Sequence, residues 1–167
     1  MKKIFFLIFI ILNPNVANAG CDDPIGDGVD YTNCRFSEGQ DLAGSYLPNS
    51  NLSFSSFLQV NFDKSIMMNS ILAFGTFSES SFFRANLYEA NLQGANFEQS
   101  NFTSANLTRV NFQGSTLVGA NFKNANLMEA DLTSANINDS SFEDANLNKA
   151  IWVDGRVCGL NSIGNCN

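Results

Sequence analysis

Four cysteines are the residues of this 167-residue sequence with the clearest capacity for chemistry, and they lie only near its two ends. Cys21 and Cys34 precede a long central stretch, and Cys158 and Cys166 follow it. In an oxidising compartment an even number of cysteines predicts disulfides, but four cysteines allow three pairings and the sequence alone does not choose. The choice depends on the fold that holds them.

Other residue patterns that support catalysis or metal binding are missing. The sequence contains no His, which removes the commonest general base and metal ligand. It contains no G-x-S-x-G or Walker-type loop. Scattered acids such as Glu89, Glu98 and Glu129 have no partners that the sequence identifies. We therefore predict that the protein is not an enzyme and takes no cofactor or metal.

The chain is acidic, with sixteen Asp and Glu against nine Lys and Arg and a net charge of −7. Such a charge repels nucleic-acid backbones and anionic membranes, so we predict that the mature chain binds neither. Four acids crowd the first cysteines, but they lack the spacing of an EF-hand, which favours a solvated loop over a calcium site. These acids are Asp22, Asp23, Asp27 and Asp30.

The first nineteen residues have the organisation of a secretory signal peptide. A positive start at Lys2 and Lys3 precedes an apolar run over residues 4–12, and an A-x-A cleavage site follows at residues 17–19. The apolar run is too short to span a bilayer comfortably, so cleavage is favoured over a retained anchor. We predict export to the periplasm or the medium; lipidation of Cys21, as in bacterial lipoproteins, is the alternative.

The central stretch repeats with a period of five. From Leu42 to Trp152 a large apolar residue, the centre of each repeat, stands at every fifth position. The residue two before the centre is mostly small, the residue just before is most often Asn, and the two after carry nearly all the charges. The small residue and the centre share one face of extended backbone, whereas Asn suits bends. Each repeat therefore predicts one side and one corner of a coil, and such coils must stack to bury their centres.

The positions of Phe indicate how many sides one coil has. Every twentieth centre from Leu47 is Leu or Met and never Phe. The series that begins at Leu42 continues as Phe62, Phe82, Phe102, Phe122 and Phe142. Because Phe segregates when the chain is wrapped at twenty residues, we predict four sides per coil, with rings stacked on rings.

The pattern A-[N/D]-L-x-x, seen in Ala85-Asn86-Leu87 and Ala90-Asn91-Leu92, resembles the pentapeptide repeat family. The resemblance implies an all-β fold, a right-handed quadrilateral parallel β-helix, here of nearly six coils. The expected organisation is a signal peptide at 1–19, a disulfide cap at 20–39, the β-helix at 40–152 and a second disulfide cap at 153–167.

The length of such a rod decides between the cysteine pairings. Nearly six coils at about 4.8 Å per stacked strand give roughly 27 Å, whereas a disulfide needs Cα atoms within about 7 Å. We therefore predict the disulfides Cys21–Cys34 and Cys158–Cys166. At the far end Trp152 is expected to cover the last apolar layer, and the tail resembles the W-x-D-G-x-x-C ending of some exported family members.

Several outward positions between residues 54 and 88 are apolar although a regular coil would place polar residues there. Exposed apolar clusters often mark binding sites, although single apolar surface residues are ordinary. The predicted interaction surface consists of Phe54, Leu58, Ile66, Met68, Ile71, Phe74, Phe83 and Tyr88. We predict a non-catalytic exported scaffold that binds an unknown protein partner or itself. The alternative implied by the resemblance, an acidic DNA mimic that binds DNA gyrase, is disfavoured by the signal peptide.

Overall fold

The computed structural model describes residues 21–167, so the predicted signal peptide lies outside the described residues. The described part contains no helix and no continuous strand; its regular structure consists of single β-bridges separated by turns. No helix in this part is long and apolar enough to cross a membrane.

Parallel bridges join residues that are twenty positions apart. They run from Asp41 paired with Asn61 to Asp131 paired with Ile151. At each bridge the backbone donates in both directions: Leu42 N–H bonds Asn61 O at 2.7 Å, and Asn61 N–H bonds Gln40 O at 2.9 Å. One coil therefore has four sides of five residues, as the Phe spacing predicts. We name them side 1 to side 4, after the columns of centres that begin at Leu42, Leu47, Leu52 and Phe57.

The corner of each side lies two residues after the centre, in left-handed backbone. Non-glycine residues hold this position with φ near 55–60°, for example Phe54 at 58° and Lys64 at 58°. The repeat Asn is not the residue with the unusual dihedral. Instead its side-chain oxygen accepts the backbone N–H two residues on, as Asn96 does from Glu98 at 2.9 Å, which is an Asx turn. The prediction of one corner in each repeat is confirmed, but the corner residue lies three positions after the Asn to which the bend was assigned.

The centres on sides 4 and 1 form columns of stacked aromatic rings in the core. On side 4, Phe57, Phe77 and Phe97 stack with centroids 5.1 and 5.0 Å apart. On side 1, the predicted Phe column is present from Phe62 to Phe142 at separations of 4.8 to 5.1 Å. Almost all of these rings are completely buried. The structure therefore confirms that like rings lie over like rings.

The parallel ladder begins at Asp30, within the segment that the sequence assigned to the first cap. Asp30 pairs with Asn51 and Arg35 with Ser56, each across twenty-one residues rather than twenty. The extra residue falls in the six-residue step from Phe36 to Leu42. The Phe36 ring stacks on Phe57 with centroids 4.2 Å apart. The second half of residues 20–39 thus forms coil sides whose register the single inserted residue shifts.

At the far end the chain reverses and covers the last coil. Ile163 and Val157 form antiparallel bridges with Asn146 and Ile151. The Trp152 ring lies edge-on to Phe142 with centroids 5.2 Å apart. Both predicted disulfides are present, with Cα–Cα distances of 5.5 Å for Cys21–Cys34 and 4.9 Å for Cys158–Cys166.

Candidate interaction surface

Two phenylalanines at successive corners of side 3 are among the most exposed rings on the coil. Phe54 is 58% exposed and Phe74 is 53% exposed, although neighbouring corners carry mainly charged residues, amides or glycine. Their rings stack with centroids 5.3 Å apart and an interplanar angle of 14°. The corner position turns its side chain out of the coil, so neither ring reaches the core. We call this pair the aromatic corner.

Gly94 supports the aromatic corner from the next coil. A Cβ atom built on Gly94 would lie 2.6 Å from two carbons of the Phe74 ring, closer than real Cβ atoms come to such neighbours. One edge of the Phe74 ring therefore occupies the space that a side chain at position 94 would need. Phe54, Phe74 and Gly94 thus form one packed unit along the corner.

One more predicted surface residue lies on the wall that ends at the aromatic corner. Ile71 is exposed on side 3 and bridges Asn51 and Asn91. Leu58 is also exposed, but it lies in the turn at the far end of side 4, beside the corner residue Gln59. The structure therefore places three of the eight predicted residues, Phe54, Phe74 and Ile71, at one edge of the coil.

The other four predicted residues are half-buried. Phe83 lies on side 1, and Ile66, Met68 and Tyr88 lie on side 2. The Arg84 guanidinium lies over the Phe83 ring, 5.0 Å from its centroid, a favourable cation–π contact. The Tyr88 hydroxyl accepts a hydrogen bond from Arg109 at 3.0 Å. These partners within the chain satisfy Phe83 and Tyr88 and leave them less available than the aromatic corner.

One exposed aromatic residue was missed from the sequence. Tyr46 is 53% exposed on side 2 and bridges to Ile66. The sequence does indicate its exposure, because Tyr46 occupies the position just before a centre, where the repeat usually has Asn. It lies before residue 54, where the predicted apolar region begins, so a search for departures from the repeat rule over the whole coil would have found it.

Charged residues are distributed unevenly around the coil. Between residues 40 and 152 every Lys and Arg lies on side 1 or side 2. Side 2 carries a ladder of alternating charges along one corner, in which Arg109 bonds Glu89 at 3.1 Å and Glu129 at 2.8 Å, and Lys149 approaches Glu129 at 3.6 Å. Hydrogen bonds from Arg109 lower the pKa of Glu129, and those from Tyr88 and Arg109 lower the pKa of Glu89. The walls beside the aromatic corner lack such pairs.

The first acidic cluster forms local hydrogen bonds. Asp30 accepts from the Thr32 hydroxyl and backbone, which lowers the pKa of its carboxyl. Asp27 accepts from the Asn49 amide at 2.9 Å. In residues 21–167 no group of three or more His, Cys, Asp and Glu side chains is placed to hold a metal ion. Both cysteine pairs are disulfides, so this part of the chain has no free thiol.

Comparisons with known proteins agree with the repeat. A model of pentapeptide repeats matches residues 80–117, 105–144 and 125–151, with eight copies. No curated protein matches the chain.

Solved structures that resemble the chain are themselves pentapeptide repeat proteins. One is Rfr23 of the cyanobacterium Cyanothece 51142, with 24% identity, 77% of this chain and 88% of that chain covered, and a TM-score of 0.49. Another is a thylakoid lumen protein of Arabidopsis thaliana, with 27% identity, coverage of 68% and 69%, and a TM-score of 0.33.

Proposed function

Since the chain belongs to the pentapeptide repeat family, we propose that it is a non-catalytic interaction scaffold that binds a protein through the aromatic corner. The fold we propose in detail is a right-handed β-helix of nearly six coils, closed at each end by a disulfide-bonded cap. The rigid coil holds the two rings in place, so binding does not have to order them.

The stacked, exposed pair Phe54 and Phe74 is the observation that carries the proposal. Full burial of an exposed Phe side chain is worth about 1.5 to 3 kcal/mol, and because each of these rings is already partly buried, roughly half of that remains for a partner to recover by covering it. Interface hot spots are enriched in such anchors, surrounded by polar groups that exclude water. The amides of Asn51 and Asn91 beside Ile71 fit that arrangement.

Export is the second part of the proposal. Disulfides persist in the periplasm and outside the cell but are rare in the cytosol, and the chain forms two. The disulfide between Cys21 and Cys34 also argues against the lipoprotein alternative, because a lipidated Cys21 has no free thiol to pair. The mass of the protein isolated from cells tests this: we expect a start at Gly20 and two disulfides, whereas an intact Met1 would contradict export.

A pull-down from the native envelope fraction tests the surface. The bait is the wild-type chain or its Phe54→Ser/Phe74→Ser variant, and Val157→Ser/Leu160→Ser is the matched control because these residues are exposed on the far cap. We expect the corner variant to lose at least one bound protein that the control retains. Identical sets of bound proteins for all three baits would rule out the aromatic corner as the binding surface.

The gyrase-binding DNA mimic remains the alternative, and the charge distribution favours it less. A DNA mimic needs rows of unpaired negative charge. On side 2 the acids Glu89 and Glu129 are instead paired with Arg109 and Lys149. A binding measurement with purified gyrase, with DNA added as a competitor, separates the two. A DNA mimic should bind gyrase and compete with DNA, whereas the scaffold proposal expects no such competition.

A further inference from the structure

The corner of side 3 changes from large to small side chains along the coil axis. Phe54 and Phe74 lead to Gly94, Gly114 and Ser134, each one coil further on and all exposed. The Phe74 ring occupies the space at Gly94, but a Cβ atom on Gly114 would meet nothing within 4 Å. One edge of the molecule therefore has an aromatic ridge at one level and an open strip of small residues, Gly114 and Ser134, at another.

Side 3 is also the wall with the least charge. Between residues 50 and 134 its only charged residue is Asp131. That carboxylate accepts hydrogen bonds from Thr133 and from Gln113, at 2.6 Å each. Two copies of an acidic chain repel each other through most of their surfaces. Side 3 is where they can approach with the least repulsion.

We infer that the aromatic corner binds a second copy of this chain in an antiparallel dimer, with the two-fold axis perpendicular to the long axis of the coil and at the level of Gly94. Residues of the corner column are spaced evenly, one coil apart, at about 4.8 Å. This axis therefore sets Phe74 of each copy against Gly114 of the other, and Phe54 against Ser134. The inference rests on the proposed function and names the partner of the same surface.

The ridge and the strip fit each other because they lie at matching distances on either side of Gly94. In such an isologous contact each copy supplies both halves, so both ridges are covered. The dimer is then closed and offers no aromatic corner for a third copy. A partner without an aromatic ridge at the matching distance would leave Gly114 and Ser134 uncovered.

Light scattering after size exclusion tests the dimer, using the full chain expressed with its own N-terminus. We expect twice the monomer mass for the wild type and the monomer mass for Gly114→Arg. Gly44→Arg on side 1 is the control, because Gly44 has the same left-handed backbone and the same free space. Arg84 and Arg109 already occupy such corners, so both variants should fold. A monomeric wild type, or a Gly114→Arg variant that stays dimeric, would overturn the inference.

The effect of salt provides a second measure. A contact made by apolar and small side chains should persist in about 1 M NaCl, where charge pairs are screened. A dimer that dissociates in salt would contradict contact through side 3.

The pull-down separates this inference from the proposed function: if the chain is monomeric but Phe54→Ser/Phe74→Ser loses a different protein, the surface proposal stands and self-association fails. If Phe54→Ser/Phe74→Ser changes neither the mass measured by light scattering nor the set of bound proteins, both the surface proposal and the dimer fail.

Discussion

The inward small position of each side holds mainly Ala or Ser, and a buried Ser needs a partner for its hydroxyl. Ser80 has two partners, since its hydroxyl donates to Phe57 O at 2.6 Å and accepts Val60 N–H at 3.0 Å. Ser65 is fully buried and its hydroxyl has none in the described structure. In the following coils of the same column the position is Ala, at Ala85 and Ala105.

We therefore expect Ser65→Ala to stabilise the protein, because it removes a buried hydroxyl that has lost its hydrogen bonds to water. The expected gain is about 1 kcal/mol in the free energy of unfolding. Ser80→Ala is the matched comparison; it leaves the buried N–H of Val60 unpaired and should cost about 1 to 3 kcal/mol. Chemical denaturation of both variants gives the two values. A loss of stability in Ser65→Ala as large as in Ser80→Ala would show that the Ser65 hydroxyl does have a partner.

At the scale of one element, the charge ladder on side 2 makes stability depend on pH. The pKa of Glu129 is lowered in the folded state by Arg109, and that of Glu89 by Tyr88 and Arg109. A lowered folded-state pKa gives stability that is present above the unfolded pKa and is lost as pH falls through the folded pKa. The contribution is small because the groups are exposed and screened by salt.

Thermal unfolding of Glu129→Gln should reveal this contribution. We expect its melting temperature to lie slightly below that of the wild type at neutral pH, and the difference to shrink as the pH falls through the lowered folded-state pKa of Glu129 and the carboxyl becomes protonated. Glu98→Gln, on side 4 away from the ladder, is the matched control for the loss of one acidic charge. A gap between Glu129→Gln and wild type that is unchanged in acid would contradict the assigned ion pairs.

The C-terminal chain that returns over the last coil is a second element whose contribution can be isolated. The returning chain accepts Leu147 N–H at Ser162 O and Lys149 N–H at Cys158 O, so it pairs the edge of the last coil. In a stacked array each coil contacts only its neighbours, and loss of a cap exposes the end first.

Replacing Cys158 and Cys166 by Ser should therefore fray the last coil before the rest. The loop closed by this disulfide is short, and its removal is expected to cost about 2.5 kcal/mol. Hydrogen exchange should accelerate at Leu147 and Lys149 and remain slow at Phe97. Uniform acceleration along the rod would instead mean that the coils unfold as one cooperative unit.

The sequence predicted the elements better than it predicted the surface. Four sides and both disulfides follow from repeat arithmetic, because each core contact is repeated at every twentieth residue. The ladder at Asp30 was not predicted as coil, because one inserted residue breaks the arithmetic between Phe36 and Leu42. The surface depends on single contacts outside the repeat rule, such as the guanidinium of Arg84 over Phe83. No periodic pattern reports a contact of that kind.

At the scale of the whole molecule, the ring contacts in the core of residues 21–167 lie within one coil or between neighbouring coils. Removing residues 83–102 takes out one whole coil, so every later residue stays in its own column. Phe122 then follows Phe82, and Phe74 meets Gly114 in place of Gly94. Removing residues 93–102 takes out half a coil and turns the rest of the chain by two sides. Phe122 then lies over Leu92, in a column with no aromatic residue beneath it.

The larger deletion should therefore give the more stable protein. Each misplaced ring in a close-packed core costs about 1 to 3 kcal/mol, so we expect the half-coil deletion to melt roughly 5 °C or more below the whole-coil deletion. Circular dichroism and thermal unfolding of both variants measure the difference. If stability followed chain length alone, the half-coil deletion would be the more stable. That result would mean that backbone pairing between coils, rather than the columns of stacked rings, determines the register of this fold.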